Sequence, residues 1–79
     1  MYLAHCSKLN IGRNSISGLV RELVAWKKRG RKLGKKVRVS GEGEGEIELG
    51  TWEIIVRVGN YRGVYDLDGR VIVENRIKV

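Results

Sequence analysis

The chain changes its hydrophobic period once. From Ile16 to Val24 the apolar positions are Ile16, Leu19, Val20, Leu23 and Val24. That spacing lays a single stripe along a helix about two turns long. Asn14, Ser15 or Ser17 can cap the helix, since each side chain can accept a bond from an unpaired backbone N–H. Arg21, Glu22 and Lys28 fall off the stripe. Gly30 is expected to end the helix and Gly34 makes a second stop.

Outside that stretch the strand period dominates. Tyr2 to Cys6 reads as a short first strand, and Asn10 to Asn14 as a turn around Gly12. Val37 and Val39 alternate with Arg38 and Ser40, the pattern of another strand. The GEGEGE run from Gly41 to Glu46 would put three carboxylates on one face and no side chains on the other, so it reads as a mobile hairpin loop. Trp52 to Val58, Tyr61 to Leu67 and Val71 to Val79 read as strands. Gly59-Asn60 and Asp68-Gly69 separate them as tight turns that tolerate positive φ. The expectation is a single α+β domain over residues 1–79. One main N-terminal helix packs on an antiparallel sheet of three to four strands that ends in a C-terminal meander. Trp26 and Trp52 are expected to close the core, with Cys6 as a small core residue.

At 79 residues the chain is one domain with a small core, leaving no room for a deeply enclosed cofactor. Hydrophobic residues at 42% and charged residues at 32% exclude a disordered tail. No apolar run reaches the roughly 18 residues of a membrane span. The opening MYLAHCSKLN lacks the layout of a signal peptide, which predicts a cytoplasmic protein. Cys6 is alone, so neither an internal disulfide nor a cysteine metal cluster can form. Walker, dinucleotide, Ser-His-Asp and Cys/His metal patterns are all missing, and neither cofactor nor metal is expected. The lone His5 reads as an ordinary strand side chain. Proline is absent while Lys, Arg and Glu are abundant, a composition common in thermophile proteins.

Charge adds the main functional signal. The net charge is +7, and it is unevenly spread. Lys27, Lys28, Arg29, Arg31, Lys32, Lys35, Lys36 and Arg38 crowd into twelve positions, followed by Glu42, Glu44, Glu46, Glu48 and Glu53. Cations favour a helix C-terminus, but eight exceed what capping needs. The density points to contact with a phosphate polymer, without saying which one. The acidic loop is expected to partner the basic run loosely or to keep its hairpin soluble.

The segment VRVGNYRGVYDLDGRVIVENRIKV resembles the C-terminal half of RelE/ParE-superfamily toxins. Gly59, Asn60, Tyr61, Arg62 and Tyr65 sit at the offsets of that family's G-D-Y-R-x-x-Y segment, followed by the turn Asp66-Leu67-Asp68-Gly69. Met1-Tyr2 with Ser7-Lys8 is similar to its opening strand. The likeness covers residues 1–8 and 54–78. It departs from the family at Asn60, in having one helix instead of a two-helix hairpin, and in stopping at Val79 before the usual G-H-R.

The resemblance implies a toxin-antitoxin toxin, or an inactive relative. Such a protein acts on ribosome-bound mRNA without metal and is neutralised by an antitoxin protein. Arg62, and Arg57 before it, would then hold the scissile phosphate and neutralise developing charge, helped by the helix-end lysines. The alternative is a small, basic, non-enzymatic nucleic-acid-binding protein, chromatin-like or viral. A third reading is a protein-interaction module that uses an open sheet edge. For Arg57 and Arg62 the plain alternative is an outward strand residue paired across strands. Tyr61 and Tyr65 share a strand face and read as packing residues rather than stacking platforms.

Overall fold

A computed structural model describes residues 1–6 and 9–76. Seven strands and one helix follow the order β1(Tyr2–Cys6), β2(Leu9–Arg13), α1(Ile16–Lys28), β3(Lys36–Gly41), β4(Gly45–Leu49), β5(Ile54–Val58), β6(Tyr61–Tyr65) and β7(Val71–Arg76). All seven strands join one antiparallel sheet in the order β2-β1-β3-β4-β5-β6-β7. The expectation of a helix on three to four strands is therefore wrong, because the sheet is nearly twice that wide. Two stretches read as turn or loop account for the difference. Residues 9–13 pair along the whole of β1, from Tyr2 with Arg13 to Cys6 with Leu9. Half of the GEGEGE run is strand: Gly41 ends β3, Gly45 and Glu46 begin β4, which pairs with both β3 and β5, and only residues 42–44 turn.

Both misreadings come from glycine. A Cβ on Gly12 would meet Met1 Sδ at 2.6 Å, and a Cβ on Gly45 would overlap the carbonyl oxygen of Arg57. These glycines permit close approach within the sheet rather than turning the chain. The same residue type serves either purpose, and local sequence does not separate them.

The helix forms where its stripe predicts. Ser15 is the N-cap, its hydroxyl accepting from Gly18 N–H at 3.0 Å. Ile16, Leu19, Val20, Leu23 and Val24 are all buried. They pack on the inward alternates of the strands: Ala4, Cys6, Ile11, Val37, Val39, Ile47, Leu49, Ile54, Val56, Val58, Tyr61 and Tyr65. Burial also raises the Cys6 thiol pKa, which suits a core residue. The opposite sheet face carries no helix. The edge strand β7 leaves Val71, Ile72 and Val73 exposed. Among the described residues, no helix is long and apolar enough to cross a membrane.

Candidate nucleic-acid interface

The basic run and the first carboxylates after it, Glu42 and Glu44, are neighbours in sequence and apart in space. Strand β3 separates them: Lys36 stands at its start and Gly41 at its end, about 17 Å apart for an extended chain. The loose partnership expected between the acidic loop and the basic run is therefore not formed by Glu42 or Glu44. Glu46 and Glu48, already on β4, reach the run: Glu46 has an oxygen 3.8 Å from Lys36 Nζ, and Glu48 pairs with Lys36 in register.

At the basic end, α1 stops with Lys27 and Lys28 in its last turn, where cations complement the unpaired carbonyls. The connection to β3 then crosses that end of the sheet. Buried Leu33 anchors it, and Leu49 N–H donates to Lys35 O at 2.7 Å. Lys28 Nζ meets Asp68 Oδ1 at 3.0 Å, tying the helix to the β6–β7 turn and holding the Asp68 carboxyl below its ordinary pKa. Lys27 and Lys28 rim an aliphatic cleft of about 210 Å³ formed with Val24, Leu49, Ile54 and Leu67. The helix end, the basic connection and two turns of the sheet thus meet in one place.

Most of the basic run is free to bind. Lys28 and Lys36 have carboxylate partners. Among the described residues, Lys27, Arg29, Arg31, Lys32, Lys35 and Arg38 have none, and all six side chains are exposed. The guanidinium of Arg31 lies 4.9 Å from the Trp26 ring centre and that of Arg29 lies 5.8 Å away. Trp26 is itself held: its indole N–H donates to Glu22 Oε1 at 3.0 Å, and the other Glu22 oxygen takes Arg13 at 3.0 Å. It packs half-buried against the core, as expected.

Arg57 and Arg62 lie elsewhere. They face each other on β5 and β6, on the sheet face without the helix. One cross-strand row there reads Asn10, His5, Arg38, Glu46, Arg57, Arg62 and Asn75. Arg38 joins the two arginines in this row, but at three strand spacings from Arg62, about 14 Å. Lys27 and Lys28 belong to the helix on the other face, so no single phosphate is gripped by all of them. Arg62 Nη1 donates to the carbonyls of Gly59 (2.8 Å) and Tyr61 (2.9 Å), and Arg57 Nη1 lies 3.8 Å from Glu46 Oε1. His5 bridges its neighbours, with Nδ1 3.1 Å from Asn10 Oδ1 and Nε2 2.8 Å from Ser40 Oγ. Ser7 and Lys8 lie outside the described residues, as do residues 77–79 of the expected last strand.

At the other end of the sheet, Tyr61 and Tyr65 are buried and linked. Their hydroxyls are 2.7 Å apart, and Tyr61 donates to Glu74 Oε2 at 2.8 Å. Gly63 leaves the room this needs, since a Cβ there would meet the Tyr61 hydroxyl at 2.6 Å. Desolvation raises both phenol pKa values, with Tyr61 raised further by Tyr65 and Glu74. This is a structural network that leaves neither ring face open for a base.

Trp52 overturns its expected place in the core: it is 85% exposed. The error has a physical source, because Trp52 is in phase with Ile54, Val56 and Val58 and so looks inward-facing. The strand begins only at Ile54. Residues 50–53 form a turn in which Gly50 N–H donates to Glu53 O at 3.0 Å. Gly50 was the available signal for that turn. The chain matches no protein-family model, no curated protein and no solved structure. The functional reading therefore rests on the geometry.

Proposed function

We propose that this protein binds nucleic acid without cleaving it, gripping a sugar-phosphate backbone with the basic end of its sheet. The observation that carries the reading is the set of five exposed, carboxylate-free cations Lys27, Arg29, Arg31, Lys32 and Lys35, at the helix end and along a connection pinned by Leu33 and by the Lys35–Leu49 hydrogen bond, while Arg38 lies in β3 on the other face. A pinned connection matters because the cations lose little backbone freedom on binding. Arg29 and Arg31, partly ordered over Trp26, are ready for the planar two-pronged contact that guanidinium makes with phosphate. The non-enzymatic reading needs only this end. The toxin-like ribonuclease reading needs Arg62 to act with the helix-end lysines, which the two faces keep apart.

The test is the salt dependence of binding to a fluorescein-labelled oligonucleotide. Five phosphate contacts to a single strand predict a slope of log K against log salt of about −3.5. Exchanging Lys27, Lys32 and Lys35 together for alanine should flatten the slope by roughly 2 and leave the fold intact. Affinity that does not change with salt would end the reading. Cleavage of the oligonucleotide that disappears in Arg62→Ala would replace it with the ribonuclease.

A further inference from the structure

Resting on that reading, we infer that Trp52 is a stacking platform for an unpaired base, so that the ligand of the basic end is a single strand and not a duplex. An indole this exposed is unusual for the largest apolar side chain, whose ring normally packs inward while its N–H finds a partner. Among the described residues, Trp52 has neither a hydrogen bond nor a cation over its ring. The turn that carries it is nonetheless fixed, closed by Gly50 N–H to Glu53 O and tied to the basic connection through Leu49 N–H to Lys35 O. The side chain is therefore displayed from a firm base.

What surrounds the turn indicates the occupant. Lys35 and Lys36 share a hollow with Gly50 and Thr51, and Lys27 and Lys28 share the aliphatic cleft with Leu49 and Ile54. Thr51 lines the first hollow and Ile54 the second, so the turn that displays Trp52 adjoins two cationic sites, as a strand offering a phosphate, a base and a further phosphate would need. Glu48 shares the first hollow with Lys35 and Lys36, and Glu53 adjoins the indole, so the two lysines leave that hollow with a net positive charge of one. A base inside a duplex is already stacked on both sides and cannot reach an indole in a turn, whereas an unpaired base can. Every base has a π face, so the platform would tolerate any sequence.

The experiment compares a fluorescein-labelled oligouridylate with a duplex of equal length, by anisotropy, on the full chain. Wild type should prefer the single strand, with quenching of tryptophan emission on binding. Trp52→Ala should weaken single-strand binding about tenfold, leave duplex binding and the salt slope unchanged, and keep the far-UV spectrum of wild type. Trp52→Phe should recover most of the loss. If Trp52→Ala binds the single strand as wild type does, or wild type prefers the duplex, the platform is refuted while the phosphate grip stands. If neither probe binds with salt dependence, the grip fails as well.

Discussion

The two ends of the sheet are built on opposite plans. The end that receives the α1 N-terminus is held by close backbone approach and a buried polar network. Its turn carries Glu42 and Glu44, β4 and β5 come too close there for any side chain on Gly45, and Tyr61, Tyr65 and Glu74 satisfy one another beneath the surface. The end that receives the α1 C-terminus is open. Its cations mostly lack partners, its tryptophan stands in solvent, and two of its glycines are open: a Cβ on Gly30 or Gly34 would meet no atom within 4 Å. One end uses its residues to hold the sheet together, and the other leaves them available. Function in so small a protein belongs at the end that stability does not need.

The sharpest way to break this contrast is at its glycines. Gly45→Ala should cost about 3 kcal/mol, because a backbone oxygen cannot move aside. Gly34→Ala should cost only about 1 kcal/mol, the strain of a left-handed residue at φ 81°. Urea unfolding of the two variants measures the difference, and equal losses would erase the distinction between the ends.

Charge reversal gives the next effect. Lys32→Glu with Lys35→Glu should weaken oligonucleotide binding by roughly tenfold or more and flatten its salt slope by about 1.5. The same exchange in the other direction, Glu42→Lys with Glu44→Lys, should change the slope little, because those side chains lie a strand's length away. A matched gain at the acidic end would show that net charge matters and placement does not.

At the packed end, Tyr61→Phe should lose about 1–2 kcal/mol by leaving Glu74 and the Tyr65 hydroxyl short of a partner. The pH dependence follows from the same network. Both phenols have raised pKa values in the folded protein. Their contribution is complete below the ordinary tyrosine range, near pH 10, and fades as pH rises through the raised values, because the unfolded chain loses its protons first. Thermal melts from pH 9 to 11 should show this decline, and Tyr61→Phe with Tyr65→Phe should remove most of it.

The smallest effect lies at the open end. Lys28 holds Asp68 below its usual pKa. Any stability this supplies is present above the ordinary aspartate range and is lost as pH falls through the lowered value. Carboxyl titration by NMR should find Asp68 low in wild type and normal in Lys28→Met.

Periodicity and capping determined a good deal without any tertiary information. The five apolar residues of α1 could bury together only as a helix, and Ser15 could cap it through its own hydroxyl. The paired turns Gly59-Asn60 and Asp68-Gly69 placed the boundaries between β5, β6 and β7 to within two residues. The density of cations after the helix needed no fold to be seen. These properties are local, set within a few bonds of the residues concerned.

What depended on contacts distant in sequence could not be read in advance. Gly12 and Gly45 are strand residues because Met1 and Arg57 lie against them, 11 and 12 positions away. Trp52 has the phase of a core residue and is exposed because the strand starts two residues later. Arg57 and Arg62 read as partners of the helix-end lysines until the sheet put them on its other face. Charge and period are properties of the chain, but which charges share a surface is decided by register and by the side on which the helix packs. The distance of Glu42 and Glu44 from the basic connection, and the exposure of Trp52 on a turn tied to it, are therefore products of the folded sheet.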